Sequence, residues 1–173
     1  MNRLLLLIFG SFLMASSLAL AASPVDVARA PLCHQCGMDR DKFSHSRMLI
    51  EFEDGFSIAT CSLHCAAVEL ALTIDRIPVK VSVADYNSKA LLDVDQAVWV
   101  VGGNKKGVMT AKAKWAFADR SAAEKFIQAY GGTIATFDEV IKAAYDDMYQ
   151  DTKMIREFRK MMRPKLKEGA HEH

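Results

Sequence analysis

No excess of charge marks this 173-residue chain, in which 22 lysines and arginines stand against 21 aspartates and glutamates. Nucleic acid and anionic membrane surfaces recruit a basic excess concentrated on one face, so neither is expected as a partner. Cysteine is equally sparse: there are four, and none lies outside two short stretches, Cys33 to Cys36 and Cys61 to Cys65. A mature length of about 150 residues can bury a sizeable apolar core, so no disulfide scaffold is required for stability. No Ser-His-acid set, phosphate-binding glycine loop or paired-carboxylate site is evident, which removes the commonest hydrolytic and phosphoryl-transfer chemistries.

What the N-terminus does carry is a leader pattern. Asn2-Arg3 is a minimal basic start, Leu4 to Leu20 is apolar and broken only by small residues, and Ala19-Leu20-Ala21 offers a small-x-small cleavage site. Residues 1–21 are expected to be a signal peptide and the remainder to be periplasmic. The apolar run is near the lower limit of about 17 residues for a membrane span, so an uncleaved leader is the one expected route to a membrane. No cysteine follows the small residues to accept a lipid. No twin arginine precedes the run, so export unfolded and metal acquired afterwards are expected. Losing Arg3 with the leader brings the two signs of charge into balance.

Chemistry concentrates in Cys33-His34-Gln35-Cys36-Gly37-Met38 and Cys61-Ser62-Leu63-His64-Cys65. Thiolate with thioether is the donor set that favours monovalent copper, because both sulfurs are polarisable and the thioether carries no charge to attract a harder ion. Three other uses of the cysteines stay open. An oxidising compartment could pair them as disulfides. CxxC and CxxxC could supply two ligands each to a tetrahedral Zn(II). A thioredoxin-like use of CxxC is weaker, since the flanks show no βαβ pattern. Cys61 and Cys65 are placed at the start of a helix and one turn on, with Cβ atoms about 5–6 Å apart, where backbone N–H groups favour thiolate. His34 and His64 adjoin the cysteines, either as further ligands or simply as exposed histidines.

Periodicity predicts strands at Arg47 to Phe52, Phe56 to Thr60 and Pro78 to Val83, with a helix from Ser62 to Leu72. The second half predicts strands at Ala97 to Val101, Lys112 to Ala118 and Thr133 to Thr136, with a helix capped by Asp119 or Ser121 and ended by Gly131-Gly132. Both halves read ββαβ, giving an α+β fold of two tandem units, 22–92 and 93–137. Setting Phe56, Ile58, Ala59 and Ser62 against Trp115, Phe117, Ala118 and Ser121 places Cys61 and Cys65 opposite Arg120 and Glu124. The thiols are therefore not needed merely to make the fold. Residues 138–173 are expected as a long amphipathic helix to Pro164 and a polar tail, with Phe137, Ile141, Ala144, Met148, Ile155, Phe158 and Met162 on one stripe interrupted by Asp151. Met148, Met154, Met161 and Met162 read as adaptable core packing rather than a copper-handling surface, and His171 and His173 as a flexible end rather than a loose metal site.

The Cys36-Gly37-Met38 core, the Asp54-Gly55-Phe56 turn, Met109 ahead of Trp115-Ala116-Phe117-Ala118-Asp119, and Gly131-Gly132 before Phe137 together resemble the NosL family over residues 33 to 138. NosL proteins are exported copper chaperones for nitrous oxide reductase, and the resemblance implies two ββαβ units, a topology otherwise shared with the organomercurial lyase. It also implies that Cys36 and Met38 bind Cu(I), that Met109 adds a soft donor from the second half, and that the partner is an acceptor copper enzyme or a membrane copper transporter. Cys33, Cys61 and Cys65 lie outside the minimal Cys-x-Met pattern and extend the candidate ligand set. A non-enzymatic role is expected. The competing enzyme reading, thiolate cleavage of a carbon–mercury bond, would need a proton donor such as Asp39, Asp41 or Glu69.

Overall fold

The computed structural model describes residues 24–169; the expected signal segment, His171 and His173 lie outside the described residues. After a short α1 (Val25–Arg29), β1 (Met48–Phe52) and β2 (Ser57–Thr60) form a hairpin, α2 (Leu63–Leu72) crosses over, and β3 (Pro78–Ala84) returns beside β1. A fourth strand that the periodicity did not indicate, β4 (Leu91–Asp93), pairs with β3, so the antiparallel order is β2-β1-β3-β4. The second half repeats the plan with β5 (Val98–Val101), β6 (Lys114–Phe117), α3 (Arg120–Tyr130) and β7 (Thr133–Ala135), in the order β6-β5-β7. The fold is α+β with two ββαβ units, as expected.

Alternation explains the first sheet. Met48, Ile50 and Phe52 of β1 point to the α2 side and are buried with Ile58, Leu63, Ala66 and Ala67, while Leu49 and Glu51 lie on the opposite face. The same core takes in Trp99, Val101 and Ala116 from the second sheet and Val140 and Ala144 from the last helix, so the units share an interior. A separate cluster covers the α3 side of the second sheet: Val100, Trp115, Phe117, Ala123 and Phe126 pack there with Cys33, Cys61 and Cys65.

The repeat is present but its register differs from the sequence alignment by two residues. The helix N-caps are Ser62 and Asp119, and the preceding strands end at Thr60 and Phe117. Cys61 and Cys65 therefore stand opposite Ala118 and Ala122, not Arg120 and Glu124. A slip of two keeps every strand side chain on its own face, so the hydrophobic pattern cannot detect it.

The final helix, α4 (Phe137–Gly169), lays Phe137, Val140, Ile141, Ala144 and Met148 on the shared core. Beyond Asp151 the stripe leaves that core, with Phe158 exposed and Ile155 and Met162 half-buried; of the methionine group Met148 packs on the core as expected, whereas Met154 and Met161 are exposed. Length is the reason. A helix of 33 residues is about 50 Å long, whereas a strand of five residues crosses about 17 Å. The helix also continues through Pro164, its expected end, and through the first residues of the expected polar tail to Gly169.

Asp26 of α1 anchors the N-terminal segment. Its carboxylate accepts from Arg47 at 2.8 and 2.9 Å and from Arg40 at 2.8 Å, and both guanidinium groups are buried. Burial alone would raise the Asp26 pKa, but the hydrogen bonds and charges of Arg47 and Arg40 outweigh it and hold the carboxyl below its ordinary 3.8. A depressed folded-state pKa gives stability that is complete above the unfolded value and is lost as pH falls through the folded one. Asp26→Ala should lower the urea-measured stability at neutral pH by about 3–5 kcal/mol by leaving two buried cations unpaired. The gap to the parent protein should narrow as pH falls below 3.8; an unchanged midpoint at neutral pH would contradict the anchoring role.

Candidate metal centre

The first cysteine pair sits in a tight turn between α1 and β1. Gly37 takes φ of 75°, a left-handed conformation that a side chain would strain, and this lets the chain reverse. The Cys33 N–H donates to the Met38 carbonyl at 2.8 Å and the Gly37 N–H to the Cys33 carbonyl at 2.9 Å. Asp39 closes the far side by accepting the amides of Asp41 and Lys42 on Oδ1.

The second pair flanks a helix start. Cys61 follows β2, Ser62 is the N-cap, and Cys65 is the third residue of α2. The Ser62 side chain makes no capping bond, so the first-turn amides, which have no intrahelical acceptor, leave a positive end beside both sulfurs.

Three bonds fasten one pair to the other. The His34 N–H donates to the Ala59 carbonyl at 2.9 Å, Arg40 Nε to the Thr60 carbonyl at 3.2 Å, and the Ser46 hydroxyl to the Cys61 carbonyl at 2.8 Å. The result is a four-sulfur group. The Sγ atoms of Cys33, Cys36, Cys61 and Cys65 lie within 4.8 Å of one another, with Cys36–Cys61 at 3.5 Å and Cys61–Cys65 at 3.7 Å. All four are free thiols; Cys33, Cys61 and Cys65 are buried and Cys36 is half-buried. Met38 and Met109 pack against the same cluster, also half-buried. The four thiols are thus brought together, and Met38 and Met109 pack against the larger apolar cluster that contains three of them.

Met109 comes from the β5–β6 loop with φ of 59°. A left-handed methionine costs backbone strain, which persists only where the surroundings impose it. Here they include α4. Asp151, the polar break in the apolar stripe, is buried and accepts the Ala111 amide at 2.9 Å, two residues past Met109. Farther along the same helix, Arg159 Nη2 donates to the Cys36 carbonyl at 3.2 Å.

Neither neighbouring histidine joins the thiols. His34 Nδ1 meets Glu69 Oε1 at 2.8 Å, and His64 is buried with Nδ1 at 3.5 Å from Asp151 Oδ2. Glu69 and Asp151 had no recognisable signal as partners. Their contacts join segments 35 or more residues apart in sequence.

The thiols titrate together. Hydrogen bonds from Cys36, Cys61 and Cys65 push Cys33 well below the ordinary 9.0. The bond with Cys33 opposes ionisation of Cys36, but those from Cys61 and Cys65 bring it down. Cys61 is pushed up by Cys33 and Cys36, and Cys65 by Cys33, Cys36 and Cys61, since a further thiolate would face those already formed. One charge enters easily and the last resists until a cation replaces its proton.

Two antiparallel ββαβ units with clustered sulfurs packed against the second sheet define an α+β protein with a candidate soft-metal centre. The NosL family model matches residues 24–145. Among solved structures, the copper chaperone NosL from Shewanella denitrificans is similar at 24% identity and a TM-score of 0.51, covering 62% of this chain and 87% of that one. At that identity the likeness speaks for the fold. Among curated proteins none matches the chain. The chain belongs to the NosL family.

Burial ranks the thiols by access. With the reduced protein near neutral pH, iodoacetamide should label Cys36 first, and peptide mapping should find Cys33, Cys61 and Cys65 protected until denaturant is added. Equal labelling of all four would contradict the packed arrangement.

Proposed function

We propose that this protein is a copper chaperone that captures Cu(I) with Cys33, Cys36, Cys61, Cys65, Met38 and Met109 and passes it to an acceptor in the periplasm. The observation that carries this is the gathering of four thiols from two separate segments, with Met38 and Met109 packed against the same apolar cluster. Soft, polarisable donors select a monovalent soft ion, and the uncharged thioethers add nothing for a harder one.

The cargo would enter at the accessible edge. Cys36, Met38 and Met109 are half-buried, so an arriving ion meets them before the enclosed thiols. Capture exchanges S–H protons for the ion, and release reverses this when an acceptor's ligands bind at the same edge and the thioethers let go. The acceptor, a copper enzyme such as nitrous oxide reductase or a membrane copper transporter, follows from the family and the copper chemistry. Periplasmic work rests on the leader pattern of residues 1–21. No helix of the described residues is long and apolar enough to cross a membrane.

A second reading has its own observation. Zn–S bonds of about 2.3 Å give a tetrahedron with edges of about 3.8 Å, and separations of 3.5 and 3.7 Å suit it. A structural Zn(II) site would leave Met38 and Met109 without a role, although both pack against the cluster and Met109 holds a strained backbone. The enzyme reading has less support, because Asp39 is engaged in its own turn and Glu69 with His34.

In anaerobic competition titrations the reduced protein should prefer Cu(I) to Zn(II). Met38→Ala and Met109→Ala should each weaken Cu(I) binding about tenfold or more, some 1.4 kcal/mol, and leave Zn(II) binding unchanged. Equal or tighter zinc affinity, with no effect of Met38→Ala, would refute the copper assignment.

A further inference from the structure

We infer, on the footing that the sulfur cluster is a Cu(I) site as proposed above, that it holds two copper ions in unequal subsites bridged by the Cys61 thiolate: an inner one with Cys33 and Cys65, and an outer one with Cys36, Met38 and Met109.

The donor set exceeds what one ion uses. A low-coordinate soft ion satisfies itself with about two to four sulfurs, whereas four thiols lie within 4.8 Å of one another and two thioethers pack on the same cluster. Cys61 occupies the shared position, with its Sγ 3.5 Å from that of Cys36 and 3.7 Å from that of Cys65. A thiolate has lone pairs for more than one soft ion, so a sulfur in contact with both neighbours can serve both.

Burial divides the donors into two unlike sets. Cys33, Cys61 and Cys65 are 2%, 0% and 0% exposed, whereas Cys36, Met38 and Met109 are half-buried. The inner set is all thiol and closed off by Val100, Trp115 and Phe117. The outer set mixes a thiol with two neutral thioethers that detach without leaving charge behind. The chemistry of loading balances: each Cu(I) forms a Cu–S bond as an S–H bond breaks, and the proton leaves to solvent. A second ion therefore enters by replacing a proton, without adding charge to an apolar site, where unpaired charge is costly. The inner ion is kept and fixes the thiols in place. The outer ion is the one delivered.

The test is an anaerobic Cu(I) titration of the reduced, full-length exported protein against chromophoric Cu(I) chelators of graded affinity, with luminescence recorded throughout. Two equivalents should bind in separate steps, with the emission of water-shielded, thiolate-bridged Cu(I) growing during the second. A chelator of intermediate affinity should then withdraw one equivalent and leave the other. Met38→Ala with Met109→Ala should weaken only the looser step, by tenfold or more, and Cys65→Ala should abolish the tighter one. Should Cys65→Ala fail to fold, judged by near-ultraviolet circular dichroism, the unsubstituted titration and the methionine variant still decide. Saturation at one equivalent overturns the two-ion inference and leaves the chaperone function standing, as does equal weakening of both steps by the methionine substitutions for the inner and outer division. Failure to take up Cu(I) at all overturns the proposed function itself.

Discussion

Three consecutive carbonyls, those of Ala59, Thr60 and Cys61, accept hydrogen bonds from the loop that carries Cys33 and Cys36. These bonds do two things at once. The His34 bond to Ala59 covers the open edge of β2, which would otherwise offer unpaired backbone groups to solvent or to another chain, and all three set the two cysteine pairs side by side. Because Arg40 makes the middle contact while its guanidinium also binds Asp26, the N-terminal segment and the sulfur site form one connected unit. Protein–protein bonds thus hold the two thiol pairs side by side.

Each unit contributes differently to this site. The first supplies all four thiols, while the second supplies the apolar wall they rest on and the loop bearing Met109. Helix α4 ties them together, with Asp151 holding the Met109 loop and Arg159 reaching the Cys36 carbonyl. A repeated scaffold explains how such a division can arise. Where the second unit has Ala118 and Ala122, the first has Cys61 and Cys65, so replacing small residues at one helix start adds chemistry without altering the strand pattern.

Much of this was legible in the sequence because its signals are local. The alternation of Met48, Ile50 and Phe52, the Asp119 cap and the Gly131-Gly132 stop are written within a few residues of the structure they form. Cys33, Cys36, Met38, Cys61 and Cys65 announce themselves by residue type and spacing, and Met109 entered through resemblance to the family. What stayed hidden is long-range or periodic. The two-residue slip in the repeat preserves the pleat, β4 is three residues long, and Asp151 looked like a flaw in an apolar stripe when it is a buried anchor for a loop 40 residues away. The outer methionines of α4 share the helical spacing of Met148, and nothing in that spacing records where the sheets beneath end.

The central claim is that sulfur alone holds the cargo, at this cluster and nowhere else. X-ray absorption spectroscopy at the copper edge of the Cu(I)-loaded protein tests it most directly, because the first shell of scatterers separates sulfur from nitrogen and oxygen. The account predicts a first shell of sulfur only, which Cys36→Ala and Met38→Ala deplete. A shell dominated by nitrogen or oxygen, or one indifferent to both substitutions, would contradict it.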